Sequence, residues 1–175
     1  YDAAGRLTAA VDMTGNRTSY AYYTDRIFNN RLKSVTTPEG RPTQFEYYGN
    51  GRVARTSDPG GRRVSFLYLP LRRETHVFDE DGGVWTYQYN EWGNVTREIQ
   101  PDGSYVESSY GQDGRMEAHT NAAGYTSRFA YDAAGNMTSM TDPLGRTIRL
   151  TYEPVFQQVV SAQDARGNVT LYEYD

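Results

Sequence analysis

Five aspartates of this chain recur at one position in a repeated pattern, and paired carboxylates are groups that could give the chain acid–base chemistry. The aspartates of this pattern each stand three residues before a glycine: Asp12, Asp58, Asp79, Asp142 and Asp164. Other copies of the pattern have Thr37, Gln100 or Asn121 at the same position. A hydroxyl or an amide cannot replace a carboxylate in proton transfer, but it can accept a hydrogen bond in a turn. The pattern therefore predicts turn-forming aspartates, no catalytic residue and no enzyme activity.

The two histidines, His76 and His119, are the remaining candidates for catalysis or metal binding. No cysteine is present, and the histidines do not have the spacing of a ligand pair. No serine lies in a Gly-x-Ser-x-Gly motif, so a Ser–His–Asp site assembled from different strands is the catalytic alternative. The acidic run from Asp79 to Asp81 could attract calcium, but it lacks the alternating oxygen ligands of an EF-hand loop and favours a solvated turn. No metal site and no cofactor is predicted.

Charge and composition exclude several classes of protein. The 175 residues include 18 Lys and Arg against 22 Asp and Glu, which gives a formal net charge of −4. A nucleic-acid partner is not expected, because phosphate binding needs a clustered basic surface. The absence of cysteine excludes a disulfide framework, and no apolar run is long enough to span a membrane.

A tyrosine repeat sets the elements that must position these residues. Six of the eight intervals between successive repeat tyrosines are 21 residues long, and the others are 25 and 22. The repeat tyrosines are Tyr1, Tyr22, Tyr47, Tyr68, Tyr89, Tyr110, Tyr131, Tyr152 and Tyr174. A glycine lies seven residues before the tyrosine in every block: Gly15, Gly40, Gly61, Gly82, Gly103, Gly124, Gly145 and Gly167. A period of about 20 to 50 residues is typical of stacked supersecondary units, so residues 1–175 are predicted to form one array of about eight repeats.

Each repeat has the pattern of a β-hairpin. In Asp142-Pro-Leu-Gly145 the aspartate, proline and glycine suit the first, second and fourth positions of a type I turn closed by a left-handed residue. The following strand alternates, as in Ile148, Leu150 and Tyr152, with an aromatic and β-branched face opposite a polar one. Stacked hairpins are expected to place the rings in ladders. The predicted fold is all-β, with tandem hairpins in a curved or spiral antiparallel sheet.

A second glycine follows the repeat tyrosine in five of the eight blocks. These glycines are Gly5, Gly51, Gly93, Gly114 and Gly135. In the other blocks the expected position is taken by Asn30, Arg72 and Phe156. Extra residues also fall in this half of the repeat, which predicts loops of variable length along one edge of the array.

The blocks Tyr1-Asp-Ala-Ala-Gly-Arg-Leu, Tyr131-Asp-Ala-Ala-Gly-Asn-Met and Asp142-Pro-Leu-Gly-Arg resemble the YD repeats of Rhs proteins, with related repeats in Tc insecticidal toxins and teneurins. The resemblance implies hairpins that wind into a spiral sheet and close as a hollow shell. In the toxin branches the shell encloses a C-terminal toxic domain, and in teneurins it is a cell-surface scaffold. The resemblance thus implies a wall segment of a bacterial, secreted or surface-displayed toxin shell. Its partners would be the rest of the repeat protein and the enclosed toxin domain.

The chain departs from complete shell proteins of this kind. It begins in mid-repeat, and no plug, self-cleaving protease region or toxin domain is recognised in it. Eight hairpins are also few for a closed shell of the family's size. We therefore expect a piece of a longer array, with self-association through its open sheet edges.

A carbohydrate-binding or cell-surface adhesion module is the alternative function. Trp85, Tyr87, Tyr89 and Trp92 are concentrated in one repeat, and planar rings can stack on sugars. The first three lie on the apolar face shared by every repeat, where packing is the favoured role. Trp92, inside the turn Asn90–Gly93, breaks the pattern and is the residue considered for a sugar contact.

Overall fold

The computed structural model describes residues 1–174, and its regular structure is almost entirely β. By internal contacts the chain divides into two units, Tyr1–Thr86 and Tyr87–Asp175. The strands of the first unit are β1 Ala9–Val11, β2 Arg17–Tyr22, β3 Leu32–Thr36, β4 Pro42–Tyr47, β5 Val53–Ser57, β6 Arg63–Leu69 and β7 Glu74–Phe78. The boundary between the units falls within β8, Val84–Tyr89. The strands of the second unit are β9 Val95–Ile99, β10 Tyr105–Tyr110, β11 Met116–Thr120, β12 Thr126–Tyr131, β13 Met137–Thr141, β14 Thr147–Tyr152, β15 Val159–Gln163 and β16 Val169–Leu171.

Both units are built from consecutive antiparallel hairpins. In the first unit β1 to β7 pair in chain order, and in the second β9 to β16 do the same. Sequence neighbours are therefore also sheet neighbours, as in Tyr20 opposite Val35 and Val35 opposite Thr43. The prediction of an all-β fold made of tandem hairpins is confirmed.

The two faces of each sheet differ in chemistry. We call the face that carries alternate residues such as Val64, Phe66 and Tyr68 the tyrosine face, and the opposite face the polar face. No side chain in residues 1–174 is fully buried. The apolar side chains of the tyrosine face are thus only half-buried.

The hairpin turns before the tyrosine strands follow the predicted chemistry. In the turn Asp58–Gly61, Gly61 has φ +89° and its N–H donates to the carbonyl of Asp58 over 3.0 Å. The Asp58 N–H donates back across the turn to the carbonyl of Arg62 over 2.9 Å. All eight glycines at this position have positive φ, between 80° and 89°. A left-handed conformation costs other residues about 1–2 kcal/mol, which accounts for the glycine in every block.

The turns after the repeat tyrosines are less regular. In the three blocks without the second glycine, the left-handed residues are Asn30, Arg73 and Gln157. The last two lie one residue after Arg72 and Phe156, which take the glycine position in the sequence. In most hairpins a β-bulge falls immediately before the repeat tyrosine, for example between Ala21 and Tyr22. The hairpin of β6 and β7 pairs without a bulge as far as Leu69 and Glu74. Its connection is then a 3-10 turn, Pro70–Arg72, so the left-handed residue moves one position later.

The extra residue of the block that begins at Tyr152 explains the shift at Gln157. The N–H of Glu153 donates to the carbonyl of Gln158, whereas a shorter block such as Asp132 to Asn136 closes one residue earlier. The loop therefore contains one more residue before the left-handed position.

Among residues 1–174 no helix is long and apolar enough to cross a bilayer.

Candidate functional site

The repeat tyrosines form a recurring hydrogen bond that the sequence pattern did not predict. In five repeats the tyrosine hydroxyl donates to the carbonyl oxygen of the residue 15 positions earlier. The pairs are Tyr22 with Leu7 at 2.9 Å, Tyr47 with Leu32 at 2.8 Å, Tyr110 with Val95 at 2.9 Å, Tyr152 with Met137 at 2.9 Å and Tyr174 with Val159 at 2.7 Å. The accepting residue lies two positions after the left-handed residue of the turn that opens the repeat. The bond therefore ties the last strand of a repeat to its first turn.

An arginine lies over the ring of several repeat tyrosines. The arginine follows the left-handed residue of the opening turn and stands 16 positions before the tyrosine. The distances from Cζ to the ring centroid are 5.0 Å for Arg6 and Tyr22, 5.5 Å for Arg31 and Tyr47, 5.0 Å for Arg52 and Tyr68, and 5.8 Å for Arg115 and Tyr131. These distances are in the range of cation–π contacts. The recurrence of arginine at a fixed spacing from tyrosine is the signal that could have revealed the pair.

The ring contacts recorded for two repeat tyrosines are made with rings from another position of the repeat. Tyr47 contacts the ring of Tyr23 at a centroid distance of 6.1 Å, and Tyr68 contacts that of Tyr48 at 6.3 Å. Successive repeat tyrosines are two strands apart, about 10 Å in a sheet, which is too far for direct ring contact. In these two pairs the ring comes from the residue after the preceding repeat tyrosine. Tyr23 also donates its hydroxyl to the carbonyl of Phe45 over 2.9 Å.

The turn aspartates each accept hydrogen bonds from their own turn. Oδ1 of Asp164 accepts the N–H groups of Arg166 and Asn168, each over 2.9 Å, and its Oδ2 accepts the Asn168 amide over 2.7 Å. Asp12 and Asp142 have the same arrangement. Asp58 accepts from the N–H of Arg62 at 2.9 Å, and Asp79 accepts from that of Gly83 at 2.6 Å.

These hydrogen bonds favour the ionised carboxylate. The hydroxyl of Thr14, with the N–H and side chain of Asn16, lowers the pKa of Asp12 from 3.8 to about 2. The Asn168 amide, followed by its backbone N–H, likewise lowers the pKa of Asp164. A carboxylate with a lowered pKa is a poor general base at neutral pH, so this geometry suits turn formation better than proton transfer.

The acidic run Asp79-Glu80-Asp81 is tied to the neighbouring turn. Oε2 of Glu80 accepts the N–H of Arg63 over 3.2 Å, and Asp81 lies 3.8 Å from the guanidinium of Arg62. Within residues 1–174 no three acidic or histidine side chains lie close enough together to ligate one metal ion.

The structure brings Ser108 and His119 together. They face each other across β10 and β11 on the tyrosine face, with Ser108 Oγ 3.1 Å from His119 Nδ1. No carboxylate of the described residues is hydrogen-bonded to His119, so the orienting group of a Ser–His–Asp triad is missing. His76 lies 3.4 Å from Glu74 instead. The strand backbone around Ser108 is engaged in sheet pairing, which leaves it unsuited to act as an oxyanion hole.

The two tryptophans lie in different settings. Trp92 is at the tip of the turn Asn90–Gly93, and 59% of its surface is exposed. Trp85 is partly exposed and lines a cavity of about 320 Å³ in the first unit, between the turns Asp58–Gly61 and Asp79–Gly82. We call this cavity the Trp85 cleft. A cavity of about 380 Å³ lies between the turns that begin at Asp142 and Asp164 in the second unit.

Comparison with known sequences and structures supports the repeat interpretation. The sequence model of the RHS Repeat family matches residues 29–63, 73–105 and 112–152, which is more than half of the chain. A crystal structure of TcdB2-TccC3 is similar at 18% identity, with a TM-score of 0.58 over 99% of this chain and 11% of that chain. The crystal structure of TcdB2-TccC3-Cdc42 is similar at 18% identity, with a TM-score of 0.57 over 98% of this chain and 10% of that one.

A structure of the Photorhabdus luminescens Tc holotoxin pore aligns with all of this chain and 12% of that chain, at 15% identity and a TM-score of 0.55. At these identities the likeness is one of fold, and this chain spans about a tenth of the chains it matches. The family match covers the repeats in which the tyrosine, glycine and turn geometry recur. The chain therefore belongs to the RHS repeat family.

Proposed function

We propose that this chain is a non-catalytic structural scaffold, an array of YD repeats that forms part of the wall of an Rhs-type shell. The observation that carries the proposal is the use of the repeated side chains. Five repeat tyrosines donate to backbone carbonyls within their own repeats, and the turn aspartates accept from their own turns. Side chains committed to such bonds serve to stabilise a repeat.

The proposed mechanism is containment of a C-terminal toxin domain. A continuous antiparallel sheet has few openings, since nearly every backbone group is paired with a neighbouring strand. Such a wall would exclude proteases and solvent from an enclosed segment. The similar solved structures are of Tc holotoxin and TcdB2-TccC3 assemblies, which supports this role for a chain of the same fold. The partners would be the remaining repeats of a longer protein and its toxin domain, in a secreted or surface-displayed bacterial assembly.

Limited proteolysis of the complete protein that contains this chain tests containment. We expect its C-terminal domain to resist protease in the wild type. The variants Gly61→Val and Gly145→Val, at φ +89° and +80°, should open the wall and expose the domain. Gly49→Val is the matched control, because Gly49 has no positive φ and open space around its Cβ position. A C-terminal domain cut equally fast in the wild type and the wall variants would contradict containment.

A second candidate is a carbohydrate-binding or adhesion module built on the same repeats. It is favoured by Trp92, a ring at a turn tip with 59% of its surface exposed. This function predicts saturable binding on a glycan array that is lost in Trp92→Ala. An array without hits would remove it.

A further inference from the structure

The turns at one edge of the first unit carry an excess of positive charge. Strands β2, β4 and β6 run in the same direction, so the turns that follow them lie at the same edge of the sheet. These turns are residues 23–31, 48–52 and 70–73, and we call them together the arginine edge. They contain one aspartate, Asp25, and five arginines, which are Arg26, Arg31, Arg52, Arg72 and Arg73.

The excess of arginine is confined to this set of turns. The opposite edge of the first unit holds six acidic residues and two arginines, in the turns 12–16, 37–41, 58–62 and 79–83. In the second unit the turns that follow the tyrosine strands hold four acidic residues and one arginine. These turns are 90–94, 111–115, 132–136 and 153–158. Among the turns, a negatively charged partner therefore meets a complementary surface at the arginine edge.

Leu71 adds an apolar side chain to this edge. It is the tip of the turn 70–73 and is fully exposed. The backbone of the turn is fixed, because Pro70 begins the 3-10 turn and the N–H of Arg73 donates to the carbonyl of Pro70 over 3.1 Å. The side chains of Arg72 and Arg73 are exposed beside Leu71 and have no partner among residues 1–174.

Ile27 has the same combination of features in the turn 23–31. It is 70% exposed, and the turn holds it, since Oδ1 of Asp25 accepts the N–H groups of Ile27 and Phe28 over 2.9 and 2.8 Å. Arg26 is exposed next to it and has no partner in the described chain. Two separate turns of one edge thus each present an aliphatic side chain beside an unpaired guanidinium.

This arrangement suits a fluid anionic surface better than a pocket of a protein. Strands β2 and β6 are four strands apart, which separates their turns by about 19 Å. Leu71 and Ile27 stand at turn tips and not in a common groove. A lipid bilayer can take up separate apolar side chains at the boundary of its headgroups, and anionic headgroups attract arginine.

We propose that the arginine edge binds the surface of an anionic lipid bilayer. Leu71 and Ile27 enter the boundary between headgroups and acyl chains, and Arg26, Arg72 and Arg73 pair with the headgroup phosphates. This surface goes beyond the proposed wall function and does not depend on it.

Flotation of the whole chain with lipid vesicles tests the proposal. The probes are vesicles of phosphatidylcholine mixed with phosphatidylglycerol, and vesicles of phosphatidylcholine alone. We expect the chain to float with the mixed vesicles, much less with the neutral ones, and less as the salt concentration rises. Absence of flotation with the mixed vesicles would overturn the proposal. Equal flotation with both kinds would overturn it too, because headgroup charge would then play no part.

Substitutions of leucine test whether the turn tip makes the contact. Leu71→Ser should weaken binding to the mixed vesicles by about tenfold or more. Leu144→Ser is the matched control, because Leu144 also follows a proline at an exposed turn tip but lies outside the arginine edge. Equal losses in the two variants would contradict docking through Leu71.

Substitutions of arginine test the charge in the same assay, and they keep the proposal testable if the leucine variants do not fold. Arg72→Gln and Arg73→Gln should each weaken binding to the mixed vesicles by about fivefold. Arg41→Gln, which removes an exposed arginine of the opposite edge, should leave it unchanged. A loss in Arg41→Gln as large as in the other two variants would show that the arginine edge has no special role.

A dye at the turn tip distinguishes insertion from adsorption. The chain contains no cysteine, so Leu71→Cys and Leu144→Cys each provide a single labelling site. The emission of a polarity-sensitive dye should shift to the blue on the mixed vesicles in Leu71→Cys and not in Leu144→Cys. An unchanged emission in Leu71→Cys would overturn insertion. Inorganic phosphate at constant ionic strength should not prevent flotation, and loss of flotation would assign the arginines to a free phosphate ion instead.

Discussion

The hydroxyl of Tyr110 donates a 2.9 Å hydrogen bond to the carbonyl oxygen of Val95, the residue that begins β9. The two residues are 15 positions apart, as in every such pair found in the chain. The bond explains why the position that ends each repeat is tyrosine. The position two residues earlier lies on the same face and is Tyr20, Phe45 or Leu150 in different repeats. A hydroxyl group is therefore not needed at that position.

Tyr110→Phe is expected to lower the free energy of unfolding by about 1 kcal/mol, because it removes one hydrogen bond and leaves the Val95 carbonyl without that donor. Denaturant titration measures the change. Tyr125→Phe is the matched control, since Tyr125 is 58% exposed and its hydroxyl has no partner in the described chain. Equal effects of the two substitutions would show that the hydroxyl contributes nothing.

Arg52→Ala should destabilise the first unit by about 0.5–1 kcal/mol, since it removes the cation over the ring of Tyr68 at an exposed site. Arg41→Ala provides the comparison, because Arg41 is exposed and has no partner among residues 1–174. Thermal unfolding of both variants measures the difference. A Tm for Arg52→Ala no lower than that of Arg41→Ala would rule out a stabilising arginine–tyrosine contact.

Gly61→Ala should cost about 1–2 kcal/mol, because Gly61 is held at φ +89° by the turn hydrogen bond to Asp58. Nothing surrounds its Cβ position, so the cost is conformational and not steric. Gly49→Ala lies in another turn with equally open space and no positive φ, and it should be neutral or slightly stabilising. Unfolding free energies that do not differ between the two variants would contradict the left-handed turn.

Stability should fall at acid pH because three turn aspartates, Asp12, Asp142 and Asp164, have lowered pKa values. For Asp12 the pKa is lowered from 3.8 to about 2 by the Thr14 hydroxyl and the groups of Asn16. A lowered folded-state pKa stabilises the fold fully above the unfolded pKa, so this contribution is present above about pH 4 and is lost as the pH falls towards 2.

Asp12→Asn isolates this contribution. The amide oxygen can still accept the N–H groups of Thr14 and Asn16, but it does not titrate in this range. The midpoint temperature of thermal unfolding, measured at a series of pH values from 7 to 2, should therefore fall less steeply with decreasing pH in the variant than in the wild type. Identical pH profiles would show that Asp12 does not contribute to the acid sensitivity.

The isolated chain is expected to self-associate with increasing concentration. Among residues 1–174, β1 and β16 each pair on one side only, and no apolar side chain is fully buried. Leu171→Lys places a charge on the edge strand β16, where Leu171 is 74% exposed, and should reduce association. Light scattering over a concentration series checks this, and a monomer at all concentrations would contradict it.

The local chemistry of the chain could be predicted from the sequence. The turns could be predicted because each depends only on residues that are close together in the sequence, as in Asp142-Pro-Leu-Gly145. The aspartate accepts hydrogen bonds from the N–H groups of the following residues, and the glycine adopts the left-handed conformation. Alternation along each strand fixed which side chains share a face. Period, hairpins and the all-β fold followed from these local rules.

The register between strands was decided only by the tertiary structure. The bond from Tyr110 to Val95, the contact of Arg52 with the ring of Tyr68 and the shift of the left-handed residue to Arg73 all depend on where one strand lies beside another. A bulge moves that register by one residue, and no single turn encodes it. Trp85 shows the same limit: its alternation places it on the tyrosine face, but only the packing of two neighbouring turns forms a cleft over it.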